Sequence, residues 1–258
     1  PGVVMVEMDG ILTITVKDVK EVHGVTTVWE DTGYTGASSV VAIIDTGIGG
    51  NHSGIDDLDD DNGTYDPKII AFFDAVFTDE EHDPAESYDS GTHGTHVAGI
   101  VAGTGGGQTD PSTGLRYIGA APGAYLVNIL SCCDGDIEDI MQGAQWAIDN
   151  KDSAGGHGID ILTSSLGEQQ FETHVDNDGN SAWSRQMDMV VEAGIITTLS
   201  AGNEFGGATL AGCNTIDSLG YARFPVTVAA LAAVPYTHFR AHAMLRFLLC
   251  RLLLDKSN

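Results

Sequence analysis

Basic residues are scarce in this chain. Its 258 residues include 11 Lys and Arg against 37 Asp and Glu, so the formal net charge is −26. Proteins that bind nucleic acid hold the phosphates with Lys and Arg, so this imbalance argues against nucleic acid as a partner. The excess of acid is typical either of a well-solvated surface, with or without adaptation to high salt, or of divalent-cation binding.

Cysteine is scarce as well, and no apolar run is long enough to cross a membrane. The four cysteines, Cys132, Cys133, Cys213 and Cys250, lack the spacing of zinc ligands and argue against a disulfide scaffold. No signal peptide pattern is present, and the sequence starts abruptly at Pro1. We therefore expect no membrane span, and we expect the chain to be a processed form or a fragment.

Apolar residues and glycine are present in the proportions of a globular protein, at 42% and 33 residues. Short apolar runs typical of buried parallel strands alternate with stretches of helical periodicity. This alternation predicts an α/β fold with a mostly parallel, doubly wound sheet and helices on both faces. The runs typical of strands are 40–45, 125–130, 159–167, 195–203 and 226–231, and those typical of helices are 93–103, 137–151 and 183–194.

Polar residues mark the carboxyl ends of three predicted strands. Asp45 ends the first run, Ser165 lies near the end of a later one, and Asn203 ends another. Ligands bind at this edge of a parallel sheet, and His93 starts a predicted helix that would open onto it. A carboxylate that orients an imidazole, an imidazole that accepts a proton and an amide that donates to an oxyanion together predict acyl transfer.

Two histidines stand three residues apart in the segment SGTHGTHVAGI, residues 90–100. His93 and His96 are interpreted as a metal pair, as a catalytic base with a structural neighbour, or as incidental residues of a helix start. A metal pair needs further ligands at suitable spacing. The surrounding letters HGTHVAG favour the catalytic interpretation.

Four motifs of the chain resemble those of the subtilisin-like serine proteases, the subtilase family, particularly secreted prokaryotic and archaeal members. VVAIIDTGI resembles the family's aspartate motif, HGTHVAG its histidine motif, SSLG its substrate-binding segment and SAGN its oxyanion-hole segment. HGTHVAG is highly specific, whereas DTG alone would be a weak signal. The resemblance extends from about Trp29 to Val234. It implies a subtilisin-like three-layer fold and peptide hydrolysis through an acyl-enzyme.

The resemblance also implies roles for single residues. Asp45 would orient the imidazole of His93, the general base, and His96 would be a packed structural residue. Asn203 would donate its side-chain amide to the oxyanion. The ordinary alternatives are a strand-end turn residue for Asp45 and a turn former for Asn203.

The resemblance further places a substrate-binding edge. Ser165, Leu166 and Gly167 would line one wall of the specificity pocket and offer backbone to an extended substrate, a form of strand addition. Asp134 and Gly135 fall where the family has the opposite edge, and an ordinary turn explains them equally well. The expected partners are an extended polypeptide substrate and the chain's own propeptide, and the expected location is secreted or extracellular.

Three segments are predicted along the chain. Residues 1–16 resemble the end of the family's inhibitory propeptide or else form an N-terminal hairpin, residues 17–234 form the catalytic domain, and residues 235–258 are an atypical basic, Leu-rich tail. The family's Gly-Thr-Ser-Met-Ala motif, which holds the nucleophilic serine, is absent, so the domain is expected to lack its C-terminal part. The tail is interpreted as a frameshift or misassembled gene, as a natural truncation, or as an amphipathic helix docking to a membrane or partner.

An acidic loop is the candidate calcium site. Asp57, Asp59 and Asp61 alternate along the chain, which suits a hard cation that needs several oxygen ligands, and Asp57 falls near a calcium ligand of the family. The run departs from an EF-hand loop because Gly63 comes one position late and no Glu closes it. The alternative is a solvated acidic loop.

Three functions follow from these motifs. The first is a serine endopeptidase with an Asp-His-Ser mechanism, although no nucleophile motif is present. The second is a catalytically inactive relative that binds extended peptides through Ser165–Gly167 and Gly135. The third is a calcium-dependent structural module, which would show metal-linked stability without affinity for peptides.

Overall fold

One sheet organises the part of the chain that the computed structural model describes, namely residues 24–61, 63–109, 116–132, 136–167, 178–202, 216 and 218–229. Within these residues the sheet has seven strands in the order β3-β2-β4-β1-β5-β6-β7. All neighbouring strands are parallel except β2 and β3, which are antiparallel. The strands are β1 Val40–Asp45, β2 Ile69–Asp74, β3 Glu80–His82, β4 Tyr125–Leu130, β5 Ile161–Ser164, β6 Ile196–Ser200 and β7 Val226–Val228.

Four α-helices accompany the described strands, and two of them begin at side-chain caps. Asp136 accepts a hydrogen bond from the backbone N–H of Glu138 at 3.0 Å, and Ser181 accepts one from that of Ser184 at 3.2 Å. Such caps satisfy N–H groups that have no partner inside the helix. The helices are α1 Val25–Thr32, α2 His93–Ala102, α3 Ile137–Asp149 and α4 Ala182–Glu192, with short 3₁₀ turns at Pro84–Glu86, Ala154–Gly156 and Ser218–Tyr221.

Strand β1 lies at the centre of the sheet and is buried on both faces. Val40, Ala42 and Ile44 contribute to one apolar cluster, to which α3 and α4 also contribute. Val41 and Ile43 contribute to the other, together with residues of α2. Burial on both faces explains why the run is continuously apolar. Since side chains alternate along a strand, Asp45 points to the same face as Val41 and Ile43, toward α2.

The predicted α/β fold class is confirmed, and several element boundaries lie inside the predicted runs. The run 159–167 forms a strand only over Ile161–Ser164, and the run 195–203 only over Ile196–Ser200. Strand β2, helix α1 and the exposed antiparallel strand β3 were not predicted. Cys132, the one cysteine among the described residues, is disulfide-bonded, which the cysteine spacing did not predict.

A fully buried lysine lies beside the acidic loop. The Lys68 ammonium donates to the carbonyl oxygens of Pro122 at 2.6 Å and Ala124 at 3.2 Å. Burial lowers the pKa of Lys68 from 10.5 to about 8, against the opposing charges of nearby aspartates. The low dielectric therefore outweighs the acidic surroundings.

From the lowered pKa of Lys68 we predict that the protein becomes more stable as the pH rises from about 8 toward 10.5. In that window the unfolded state binds more protons at Lys68 than the folded state, so the free energy of unfolding increases with pH. The expected gain is about 3 kcal/mol. Urea unfolding at a series of pH values measures it. Lys68→Met should remove the slope, whereas Lys151→Met, at a lysine paired with Asp152 on the surface, should keep it. A wild-type protein with no rise in this window contradicts the prediction.

Candidate active site

Asp45 and His93 form a hydrogen-bonded pair at the carboxyl edge of the sheet. The Nδ1 atom of His93 lies 2.8 Å from Oδ1 and 3.0 Å from Oδ2 of Asp45. Asp45 is 0% exposed, while the side chain of His93 is 51% exposed. Because an ionised carboxylate only accepts hydrogen bonds, Nδ1–H of His93 donates. Nε2, the other ring nitrogen, is then free to accept a proton.

A second hydrogen bond fixes the carboxylate. The backbone N–H of Thr46 donates to Oδ1 of Asp45 at 2.8 Å. A buried carboxylate needs such partners, because a charge without them is costly in a low dielectric. The carboxylate of Asp45 is therefore oriented by the backbone of the next residue as well as by His93.

Two glycines allow the strand end and the helix start to approach each other. A Cβ atom at Gly94 would collide with the carbonyl oxygen of Gly47 and lie 3.1 Å from Cβ of Asp45. Gly47 has φ of 107°, a region that favours glycine, and a Cβ there would collide with the carbonyl oxygen of Tyr88. Gly94 is thus required by the approach of the helix start to the strand end, and Gly47 by its own backbone conformation and its contact with Tyr88.

His96 lies on the same helix but is exposed, so the expectation that it is a packed structural residue is wrong. Among the described residues, no group of three or more His, Cys, Asp and Glu side chains could hold a metal ion. The geometry of the described residues thus favours the base interpretation of His93 over a metal pair with His96.

The predicted substrate-binding edge begins at the end of the neighbouring strand β5. Ile44 pairs with Ser164, so Ser165 follows at the level of Asp45. Ser165 and Gly167 are exposed, whereas Leu166 packs against the core, and its carbonyl oxygen accepts from the Ser200 hydroxyl at 2.9 Å. The other predicted site residues, Asp134, Gly135 and Asn203, lie outside the described residues.

The acidic loop uses its carboxylates mainly to hold its own backbone. Oδ1 of Asp57 accepts from the N–H of Asp59 at 3.2 Å and of Asp60 at 2.6 Å. Oδ1 of Asp59 accepts from the N–H of Asp61 at 2.8 Å, and Oδ1 of Asp61 accepts from that of Gly63 at 2.9 Å. These bonds are those of Asx turns, and they do not converge on one point.

A positively charged side chain, that of Arg116, also contacts the loop. Arg116 donates to Oδ2 of Asp60 at 2.6 Å and to the carbonyl oxygen of Thr104 at 3.1 Å. Since no three side chains of the described part of the loop form a metal-binding group, the geometry of Asp57, Asp59 and Asp61 does not fit a preformed calcium site. Calcium binding by these residues stays a prediction.

Sequence reasoning missed one polar network beside the pair. Asp89, Thr46 and Thr95 are joined by hydrogen bonds between the segment that carries Asp45 and the helix that carries His93. Thr46 and Thr95 belong to the aspartate and histidine motifs, but Asp89 lies in a loop outside both motifs. Its position four residues before His93 was the only available signal.

The chain belongs to the subtilase family. The model of that family, described as Subtilase family, matches residues 36–233, which include both Asp45 and His93. The predicted resemblance to subtilisin-like serine proteases is thereby confirmed. No helix among the described residues is long and apolar enough to cross a membrane.

Subtilisins of Bacillus are among the similar proteins. Subtilisin E of Bacillus subtilis (strain 168) is 30% identical over 213 residues, covering 81% of this chain and 44% of that protein. The Minor extracellular protease Vpr of the same organism is 31% identical over 210 residues, covering 78% of this chain and 21% of that protein. The chain thus spans less than half the length of these relatives.

Solved structures of proteases share the fold. The Clostridium perfringens CspB protease has a TM-score of 0.57 at 21% identity and is matched over 74% of this chain and 41% of that chain. The serine protease of Aeromonas sobria has a TM-score of 0.51 at 23% identity, over 78% of this chain and 33% of that chain. These likenesses support the mostly parallel α/β fold.

Proposed function

We propose that the protein is a serine endopeptidase in which Asp45 orients His93 as the general base. The observation that carries this proposal is the hydrogen bond from Nδ1 of His93 to the wholly buried carboxylate of Asp45. That bond sets the tautomer in which Nε2 accepts a proton, and it stabilises the imidazolium that forms. Membership of the subtilase family supports peptide hydrolysis as the reaction, and the Asp45–His93 pair would carry out its proton transfers.

The proposed reaction proceeds through an acyl-enzyme. Nε2 of His93 takes the proton of a serine hydroxyl while the serine oxygen attacks the peptide carbonyl carbon, and the amide of Asn203 donates to the oxyanion. His93 then gives the proton to the leaving amine as the peptide bond breaks. Water attacks the acyl group with His93 again as base, and the serine is regenerated. Residues 1–258 contain no Gly-Thr-Ser-Met-Ala motif for this serine.

A second candidate function is the binding of extended peptides without cleavage, which is favoured by the exposed residues that follow strand β5. Ser165 and Gly167 are exposed and follow strand β5 directly. In this candidate function their backbone pairs with an extended chain, and Asp134 and Gly135 form the opposite edge. In both candidates the ligand is an extended polypeptide, and residues 1–16 would act as a propeptide that occupies the same edge. An extracellular location is proposed by analogy with Vpr, whose name describes an extracellular protease.

A fluorophosphonate probe tests the proposal, because it labels only a serine activated by a base. The probe is applied to residues 1–258 and to the product of the gene read through beyond the codon for Val234. Labelling that is lost in His93→Ala and kept in His96→Ala supports the endopeptidase. The His96 variant is a matched control, since that exposed histidine lies on the same helix. If peptides bind but neither product is labelled, the peptide-binding function replaces the endopeptidase. If neither labelling nor peptide binding is found, both candidate functions are contradicted.

We further propose that the acidic loop takes up calcium by rearranging its Asx turns. Carboxylate oxygens are suitable ligands for calcium, and the loop alternates three of them at Asp57, Asp59 and Asp61. Calcium should then raise Tm, because it binds the folded state alone. The triple change of these residues to Asn should remove the increase, while Asp31→Asn, in helix α1, should not. An increase in Tm that persists in the triple variant, or no increase in the wild type, contradicts the site.

A further inference from the structure

Asp89 is a half-buried carboxylate whose two oxygens accept four hydrogen bonds. Oδ1 accepts from the hydroxyl of Thr46 at 2.6 Å and from the N–H of Gly91 at 2.9 Å. Oδ2 accepts from the N–H of Thr95 at 2.9 Å and from its hydroxyl at 2.5 Å. Thr46 follows Asp45 directly, and Thr95 lies in the first turn of the helix that His93 begins, so Asp89 connects the two segments.

The two threonine hydroxyls also connect these segments directly, in opposite directions. Oγ1 of Thr46 accepts from the N–H of Gly94, at the helix start, at 2.9 Å. Oγ1 of Thr95 accepts from the N–H of Gly49, in the loop after β1, at 2.9 Å. A hydroxyl has one hydrogen to donate, and both hydroxyls give theirs to Asp89. The carboxylate thereby orients both hydroxyls so that their lone pairs face the crossing N–H groups.

Only a group with two oxygens that both accept, and that carries no hydrogen, can orient both threonine hydroxyls in this way. An ionised carboxylate offers about four acceptor positions, and the four observed bonds use them. An asparagine would keep one oxygen, and its NH₂ group would face either the Thr46 hydroxyl and Gly91 N–H or the two donors of Thr95. Replacement of Asp89 by Asn therefore breaks one half of the connection whichever way the amide is turned.

The ionisation of Asp89 agrees with this arrangement. Burial raises the pKa of Asp89, but the hydrogen bonds from Thr46, Thr95 and Gly91 more than offset it, so the pKa lies below its ordinary value. The group is then ionised, and accepts only, throughout the neutral range and somewhat below the ordinary pKa of an aspartate.

We propose that Asp89 is a positioning residue, which acts through Thr46 and Thr95 to hold the helix start against the end of β1. His93 needs this support because its side chain is 51% exposed and is held on one side by Asp45. Displacement of about 1 Å between reacting groups costs on the order of 10²-fold in rate. The importance of Asp89 for catalysis rests on the proposed function, but its effect on the geometry of the Asp45–His93 pair does not.

The proton on Nδ1 of His93 reports this geometry without any need for hydrolysis. A proton held between imidazole and a buried carboxylate gives a downfield ¹H resonance that is protected from exchange with water. We expect the wild-type chain to show this resonance, Asp89→Asn to broaden or lose it, and Asp83→Asn to keep it. Asp83 is a matched control, because its carboxylate caps Ala85 in the same exposed loop and has no bond to either threonine.

A second pair of variants keeps the test decisive if Asp89→Asn does not fold, as judged by its near-UV circular dichroism. Thr95→Ser retains the hydroxyl and should retain the resonance, whereas Thr95→Val removes the hydroxyl and should weaken or lose it. If the fluorophosphonate test identifies an active protein, Asp89→Asn in the unlabelled form of that protein should lower kcat by about 10²-fold with little change in KM. A folded Asp89→Asn or Thr95→Val protein with the wild-type resonance overturns the proposal. If the resonance responds but no serine is labelled, the proposed function fails and the positioning role stands.

Discussion

Gly94→Ala is expected to destabilise the folded protein by about 3 kcal/mol or more, because it adds a methyl group where backbone already lies. That methyl group would collide with the carbonyl oxygen of Gly47 and crowd Cβ of Asp45. Backbone atoms cannot rotate away as the end of a side chain can. The start of α2 must then move from the end of β1, and the bond between Asp45 and His93 lengthens or breaks.

Gly99→Ala is the matched control on the same helix. A Cβ atom there has no neighbour within 4 Å, and neither glycine has a positive φ. Since glycine inside a helix is less favourable than alanine by about 0.5–1 kcal/mol, this variant should gain stability. Urea unfolding of both variants measures the difference. Two effects of equal sign and size would mean that the close approach of Gly94 to Gly47 does not constrain the fold.

Asp45→Asn is expected to lower kcat/KM by about 10⁴-fold in the active protein, the order found for the corresponding acid in other serine proteases of this mechanism. The asparagine amide can donate a hydrogen bond to Nδ1 of His93, which favours the tautomer with the proton on Nε2. That tautomer cannot accept the proton of the nucleophile. The downfield Nδ1–H resonance should disappear as well, and this second readout needs no hydrolysis.

Asp160→Asn is the matched control for this change. The Asp160 carboxylate accepts from the N–H of Val40 at 2.9 Å, at the amino end of the same strand β1. Asp160→Asn removes one negative charge, as Asp45→Asn does, but beside the amino end of β1 and far from the carboxyl edge. We therefore expect kcat/KM and the resonance to be unchanged. An equal loss of activity in both variants would show that lost charge or stability, rather than the orientation of His93, explains the effect of Asp45→Asn.

Some elements could be predicted because their signal is local. The continuous run of six buried residues in β1 and the helical periodicity of α3 are properties of short segments. Strand β3, in contrast, consists of Glu80, Glu81 and His82, and it forms through pairing with β2. No local pattern distinguishes three polar residues in a strand from a loop, so this element was missed.

In the candidate site, too, features carried by local motifs were predicted and features that depend on packing were not. Asp45 and His93 were predicted from motif letters, and the structure brings them within 3.0 Å. The exposure of His96 was not predicted, because the motif does not say which side of the helix faces the sheet. The calcium prediction relied on alternating carboxylates, but spacing along a loop does not determine where each oxygen points, and here the oxygens hold backbone N–H groups.

The family, the α/β class and the choice of Asp45 and His93 as the candidate acid and base could be predicted from the sequence, since contiguous letters and short periodicities carry them. How the segments that carry Asp45 and His93 are held together depends on the tertiary structure. The distance in sequence between Thr46 and Asp89 is 43 residues, yet their side chains are 2.6 Å apart. Strand order and loop packing bring distant donors to one carboxylate, and hydrogen-bonding partners of this kind leave no periodic pattern in the sequence.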